Sequence, residues 1–325
     1  MSNRFLRYYT IIGLLIIVTG AVIFYYSLPG LPTYNVQRDP TAWDIPYVNS
    51  LPSTPEADLI RYGRELVINT AKYLGPKGSV AHMSNGMNCE NCHLEAGTRL
   101  NGNCFAMVAT TYPKFRERSG RAESVEFRIN DCMERSLNGE KLDSLSNEMR
   151  AMRAYIMWLG ATVTKGAKLN GMGIPDLPLM SRAASASNGA AIYSSKCVSC
   201  HGLDGQGNLN GDATAYTYPP LWGLHSYNVS AGIYRLSRLA GFIKYNMPFT
   251  ATPSEPQLTD EEAWDVAAFI NSQQRPEKFF AFDWPKMESK PFDYPFGPYA
   301  DSFTELQHKY GPFIAIKKAM ENMHK

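Results

Sequence analysis

The sequence predicts an all-α protein built as two similar halves behind an apolar N-terminal segment. Three observations carry this expectation. Helical apolar spacing recurs along the chain, while alternating strand patterns are scarce. The pentapeptide Cys-x-x-Cys-His occurs twice, each time after a helical stretch. Residues 11–28 contain no charged side chain.

The apolar run comes first. Its 18 residues would span about 27 Å as a helix, just enough for a membrane crossing. Arg4 and Arg7 precede it and the next charge is Arg38. The positive-inside bias then keeps the N-terminus cytoplasmic and exports the rest. A cleaved signal peptide is the alternative, but Ser27-Leu28-Pro29-Gly30 is a poor cleavage site. Segment 1–28 is therefore expected to be an uncleaved transmembrane anchor on the periplasmic face of a bacterial inner membrane. After signal cleavage the product would be a soluble periplasmic protein.

Residues 29–56 hold six prolines and read as a semi-rigid linker. Helical patterning starts near Asp58, with Leu59, Leu66, Ile68 and Tyr73 apolar, and the first half is expected over 57–164. A helix near 146–160 carries Met149, Met152, Ile156 and Leu159 on one stripe and ends at Gly160. Residues 165–186, rich in Gly, Pro, Ser and Ala, read as a linker before a second half over 187–275. That half has a helix leading to Cys197 and another starting at Thr259-Asp260-Glu261-Glu262, a capping-box pattern, with Val266, Phe269 and Ile270 as its core. The tail, 276–325, is dense in Pro and aromatics up to about 312 and is expected to wrap the surface.

Composition sets outer limits. With 325 residues, 44% apolar and 19% charged, the chain is globular and long enough for about two domains. A net charge of +2 argues against nucleic-acid binding, so any anion site must be local. Six cysteines are too few for a disulfide scaffold.

Cys89-Glu90-Asn91-Cys92-His93 and Cys197-Val198-Ser199-Cys200-His201 lie 108 residues apart. This spacing sets two thiols against the two vinyl groups of a haem, and the adjacent histidine reaches the iron. Two covalently attached haem c groups are expected, held by Cys89, Cys92 and His93 and by Cys197, Cys200 and His201. A zinc site from paired C-x-x-C motifs would leave both histidines unexplained. The architecture is then two cytochrome c-like domains in tandem.

For the second haem, Met247 lies 46 residues after His201, just before Pro248 and ahead of a C-terminal helix. That is the arrangement of single-haem cytochromes c, and it makes Met247 the favoured sixth ligand over His225 and Lys244. His/Met ligation raises the potential. The first haem has no comparable Met-Pro. Its candidates are Met107, Met133, Met149, Met152, Met157, Cys104 and Cys132; a Cys104–Cys132 disulfide is the plain alternative for the two spare thiols.

Residues 123–138 read as a helix on which Arg128, Cys132 and Ser136 fall four apart, on one face. Arg118, in the preceding loop, is within reach of the same spot. A surface ion pair of Arg128 with Glu123, Asp131 or Glu134 is an equally good reading of that arginine. A thiolate on iron needs a positive setting and is itself a nucleophile toward sulfur, and arginines beside it would clamp an oxyanion. Such a site suits a sulfur oxyanion.

With these residues in view, the sequence resembles the dihaem thiosulfate dehydrogenases, which also act as tetrathionate reductases. The matching stretches are residues 89–97, 112–120, 128–139 (RINDCMERSLNG, the most specific), 197–202, 240–248, 293–299 and 307–313. The resemblance implies an enzyme that joins two thiosulfates into tetrathionate, or the reverse, and exchanges electrons with a cytochrome c or a membrane redox partner. It also implies His93/Cys132 ligation at the active-site haem and an anion pocket of Arg118, Arg128 and Ser136. The second haem passes electrons on. Some members carry Lys just before the distal Met; here Asn246 stands there, which points to a fixed His201/Met247 pair. A membrane-tethered dihaem electron carrier is the main rival, and it leaves the Arg128/Cys132/Ser136 stripe without a purpose. A sulfur cytochrome that loads thiosulfate onto a carrier protein, or a dihaem peroxidase, ranks lower.

Overall fold

A computed structural model describes residues 41–323. The expected anchor at 11–28 lies outside the described residues. Among the described residues no helix is long and apolar enough to cross a membrane.

The first half is built on α1 (Pro55–Ile68) and α3 (Asn147–Leu159), with α2 (Val125–Arg135) between them in sequence. Local sequence fixes where they start. Thr54, Ser124 and Ser146 each accept a hydrogen bond from the backbone N–H three residues on, at 3.2–3.3 Å. Helix α3 ends at Gly160 as expected, whereas α2 stops at Arg135, short of Asn138-Gly139. Ahead of α2 the chain forms a small antiparallel hairpin, β1 (Lys114–Arg116) with β2 (Arg121–Glu123), so Arg118 sits in its turn. The Met149/Met152/Ile156/Leu159 stripe is buried, closing a core with Leu66, Leu74, Met133 and Tyr155.

The second half repeats the plan with α4 (Ala186–Lys196), α5 (Leu236–Asn246) and α6 (Asp260–Ser272). The capping box at Thr259 and Glu262 is formed. Val266 and Ile270 are buried, while half-buried Phe269 packs against Tyr193 and Trp222. The repeat is visible at two helix crossings. A Cβ on Gly63 would stand 1.9 Å from the Ala151 carbonyl oxygen, and one on Gly189 would stand 1.9 Å from that of Asp265. In each half the first helix thus crosses the last at a glycine, because only a bare backbone approaches that closely. After irregular chain broken by one 3-10 turn at Met287–Ser289, the tail forms helices Glu305–Tyr310 and Ile314–Met323. The second of these adds Ile316 to the core around Trp264.

The tail is held by a buried ion pair. Asp293, fully buried, accepts from Arg235 Nε at 2.8 Å and Nη2 at 2.5 Å, and from Ser237 N and Oγ at 2.9 and 2.6 Å. Although burial opposes its charge, Arg235 and Ser237 hold its carboxyl below the usual range. Asp293→Ala leaves Arg235 unpaired and is expected to cost about 3–5 kcal/mol, read as a lower midpoint in thermal unfolding. Because the native pKa is depressed, the wild-type contribution is complete above the unfolded carboxylate pKa, about 3.9. It is lost as pH falls through the native value, so the gap between wild type and variant should narrow in acid.

Candidate functional site

Each Cys-x-x-Cys-His motif sits in a tight helical turn. His93 N donates to Cys89 O at 2.9 Å and His201 N to Cys197 O at 3.0 Å. The histidine rings are oriented the same way in both halves. Nδ1 of His93 lies 2.6 Å from the Asn103 carbonyl oxygen, and Nδ1 of His201 lies 2.9 Å from that of Pro219. A carbonyl can only accept, so Nδ1 carries the proton and Nε2 keeps a lone pair that could bind a metal; in His93 that atom faces the Asn103 side-chain amide at 3.4 Å. Phe105 stacks on His93 at 4.3 Å. Burial pushes the His93 pKa down to about 4, which keeps the ring neutral. All six cysteines are free thiols, and burial raises Cys89 and Cys197 to about 11 and Cys92 to about 12. Cys89 packs against the first core and Cys197 against the second, so the pairs do not merge into one four-cysteine site. Free thiols beside a neutral, pre-oriented imidazole are the donor set that covalent haem attachment needs.

Cys132, half-buried on α2, lies close enough to Cys89 and Cys92 for their charges to interact. The Cys104–Cys132 disulfide is not formed; the Cys104 thiol instead contacts the Met172 sulfur at 3.4 Å. Three other first-haem candidates, Met133, Met149 and Met152, are spent in the core, and Met157 packs against it. In the second half half-buried Met247 follows α5 and packs on that core, while Lys244 Nζ is held by Asp260 at 2.9 Å and Leu258 O at 2.6 Å. His225 is exposed.

Around Cys132 the charges are more numerous than the sequence suggested. Arg128 lies in the field of the Cys132 sulfur, which is the largest influence raising its pKa. It also pairs with Asp131, the ordinary ion pair considered above. Asp131 pairs in addition with Arg135, whose Nη1 and Nη2 both bind Asp283 at 2.7 Å. Arg135 further lies 3.8 Å over the Phe280 ring. Arg118 approaches the same group: its charge interacts with Asp131, Arg135 and Asp283. Its Nη1 donates to Ser230 O at 3.2 Å, and its guanidinium lies 5.5 Å over Trp284. Among the described residues Arg118 forms no ion pair, and burial beside Arg135 lowers its pKa. Three guanidiniums thus gather about Asp131 and Asp283, with buried Glu123 also acting on Arg128, and of the three only Arg118 makes no direct ion pair among the described residues. Ser136 caps the C-terminus of α2, one turn beyond Cys132.

The second half and the tail complete this region. Asn228 N donates to Arg135 O at 3.0 Å, and its side chain donates to Glu134 O at 2.8 Å and Asn138 Oδ1 at 2.9 Å. Asp283, Trp284 and Phe280, distant in sequence, reach Arg135 and Arg118. Sequence reasoning missed them because nothing local marks a tail residue as part of a remote site. Arg135 and Asp131 were visible as charges within the RINDCMERS stretch, and their i, i+4 spacing was the available signal.

Residues 79–163 match the family described as "SoxA/TsdA, cytochrome c domain", and residues 186–274 match "Cytochrome c". Two such domains, each with its own motif and pre-oriented histidine, define a dihaem cytochrome c with two covalently bound haem c groups. Over 251 residues the chain is 39% identical to a thiosulfate dehydrogenase of Allochromatium vinosum, covering 76% of this chain and 89% of the relative. It is 35% identical to a thiosulfate dehydrogenase of Stutzerimonas stutzeri, covering 71% and 72%. Among solved structures, the thiosulfate dehydrogenase (TsdBA) from Marichromatium purpuratum matches with a TM-score of 0.67 at 31% identity. That match covers 77% of this chain but only 51% of the solved one, so the chain spans about half of it. The chain belongs to the thiosulfate dehydrogenase family of cytochromes c.

Proposed function

We propose that this protein oxidises thiosulfate, joining two molecules through their outer sulfurs into tetrathionate and releasing two electrons; the reverse is tetrathionate reduction. The observation that carries this reading is the cluster of guanidiniums beside Cys132, in which Arg118 is largely withdrawn from water yet makes no direct ion pair among the described residues. An unpaired guanidinium out of bulk water calls for an anion, and a dianion with a nucleophilic sulfur fits both it and the thiol.

In this reading His93 and Cys132 would hold the iron of the first haem, and His201 and Met247 that of the second. When bound, the two haems would supply one-electron redox chemistry, and the two electrons would leave for an external cytochrome c or a membrane redox partner. The protein's own residues do the rest. Arg118 and Arg128 bind the sulfonate oxygens and offset the repulsion between two dianions, and Ser136 supplies a hydroxyl one turn away. Asp131 pins Arg128 and Arg135 in place, so the site is organised before the anion arrives. The uncharged run at 11–28 supports an anchor holding the haem domains at the periplasmic face of the inner membrane, and the proline-rich 29–56 supports a spacer.

The direct test is to mix the purified dihaem protein with thiosulfate and an electron acceptor. Reduction of the haem bands and formation of tetrathionate are expected; no reaction with either thiosulfate or tetrathionate would leave only an electron carrier. Arg118→Leu removes a charge-assisted contact, about 1.5–3 kcal/mol. It should lower kcat/KM for thiosulfate by roughly 10- to 150-fold, with both haems retained. An unchanged kcat/KM would remove Arg118 from the pocket.

A further inference from the structure

Where the two halves meet, two buried hydrogen-bond donors have nothing to donate to. Tyr227 is 4% exposed and Arg275 8%. The Arg275 guanidinium lies between two rings, 4.4 Å from that of Tyr227 and 4.7 Å from that of Tyr234. Its Nη1 donates to Leu221 O at 3.2 Å and its Nη2 to Ile270 O at 2.7 Å. Nε–H is left over, and so is the Tyr227 hydroxyl. The guanidinium also acts on the Tyr227 oxygen, both through its charge and as a nearby donor, but the two groups do not meet in full hydrogen-bond geometry.

Leaving a buried donor unsatisfied costs about 1–3 kcal/mol, and here one of the two belongs to a full positive charge. Among the described residues Arg275 forms no ion pair, so no Asp or Glu supplies the missing acceptor. What fits is one carboxylate, which carries the opposite charge and accepts from both donors. Each haem c brings two such groups as its propionates. The position agrees. Tyr227 lies within electrostatic reach of Cys92, in the first attachment motif. Leu221, which receives Arg275, comes two residues after Pro219, the carbonyl that orients His201.

We propose that the Tyr227 hydroxyl and Arg275 Nε–H together hold a haem propionate at the junction of the two haem domains. Both residues flanking Tyr227 are bonded to the first half, Ser226 O to Asn85 and Asn228 to Glu134 O, Asn138 and Arg135 O, which assigns the propionate to the haem on Cys89 and Cys92. The role is positional and electrostatic, separate from the thiosulfate reading. Neutralising a propionate favours the ferrous state, so the pair raises the potential of the haem it serves.

The test uses the full dihaem protein and Tyr227→Phe, which removes one oxygen and keeps the ring on Arg275. Resonance Raman bands of the propionates and the midpoint potential of each haem are measured against wild type. The expected result is a moved propionate band and a downward shift at the Cys89/Cys92 haem, with an unchanged melting temperature. Arg275→Lys, which keeps the charge but not the Nε–H, should move the same band. A shift confined to the Cys197/Cys200 haem overturns the assignment to the first haem. Unchanged bands and potentials at both haems in both variants overturn the site itself.

Discussion

Cys132→Ala is expected to lower thiosulfate turnover by at least about 10³-fold, the scale of losing a reacting group, while both haems stay attached. The attachment residues lie elsewhere, on Cys89, Cys92, Cys197 and Cys200, and nothing in α2 is needed to hold those turns. The substitution is small and the position half-buried, so the fold should survive it. Two things would be lost together. The first iron would lose its proposed thiolate ligand, and with it the low potential and the nucleophilic sulfur. Arg128 would lose the sulfur whose field acts on it most strongly. The check is threefold: haem content of the purified variant, steady-state turnover, and the EPR spectrum of the oxidised protein, where a His/thiolate signal should vanish and the His/Met signal remain. Retained turnover with that signal gone would separate the thiol from catalysis.

That expectation rests on a site only half legible in the sequence. The stripe Arg128, Cys132 and Ser136 could be read because helical spacing is a local rule, and α2 is the helix it required. The proximal histidines could be read because their motifs carry their own geometry. The partners of those residues could not. Asn103 and Pro219 orient the two imidazoles through backbone carbonyls, which any residue type supplies. Asp283 reaches Arg135 from a sequence distance at which no periodicity survives. The hairpin that carries Arg118 has three-residue strands, too short for alternation to show. The glycine crossings at Gly63 and Gly189 mark the internal repeat a second time, in the structure, since each meets a helix with the same four-residue step, Ala151/Tyr155 and Asp265/Phe269.

The second large effect is expected at the other haem. With Met247 as its proposed sixth ligand, Met247→Ala should drop its midpoint potential by a sizeable part of the roughly 0.8 V that axial ligation spans, because a thioether ligand favours the ferrous state and water does not. The surroundings make substitution by another side chain difficult. Lys244 is tied to Asp260 and Leu258 O. Asn246, 1% exposed, spends its amide on Asn101 O at 3.0 Å and Phe242 O at 3.1 Å. Arg99 holds the following loop through Ala251 O at 2.7 Å. The bonds to Asn101 and from Arg99 tie the Met247 loop to the first half and the others tie it within the second, so no neighbour swings in to restore the potential. The consequence for function separates the two haems. Thiosulfate should still reduce the first haem in a single mixing experiment, since its site is untouched. Steady-state turnover with an acceptor should fall, because electrons would have to climb to a low-potential second haem before leaving. If the variant instead turned over normally with its second potential lowered, electrons would be leaving from the first haem directly, and the relay between the two would have to be abandoned.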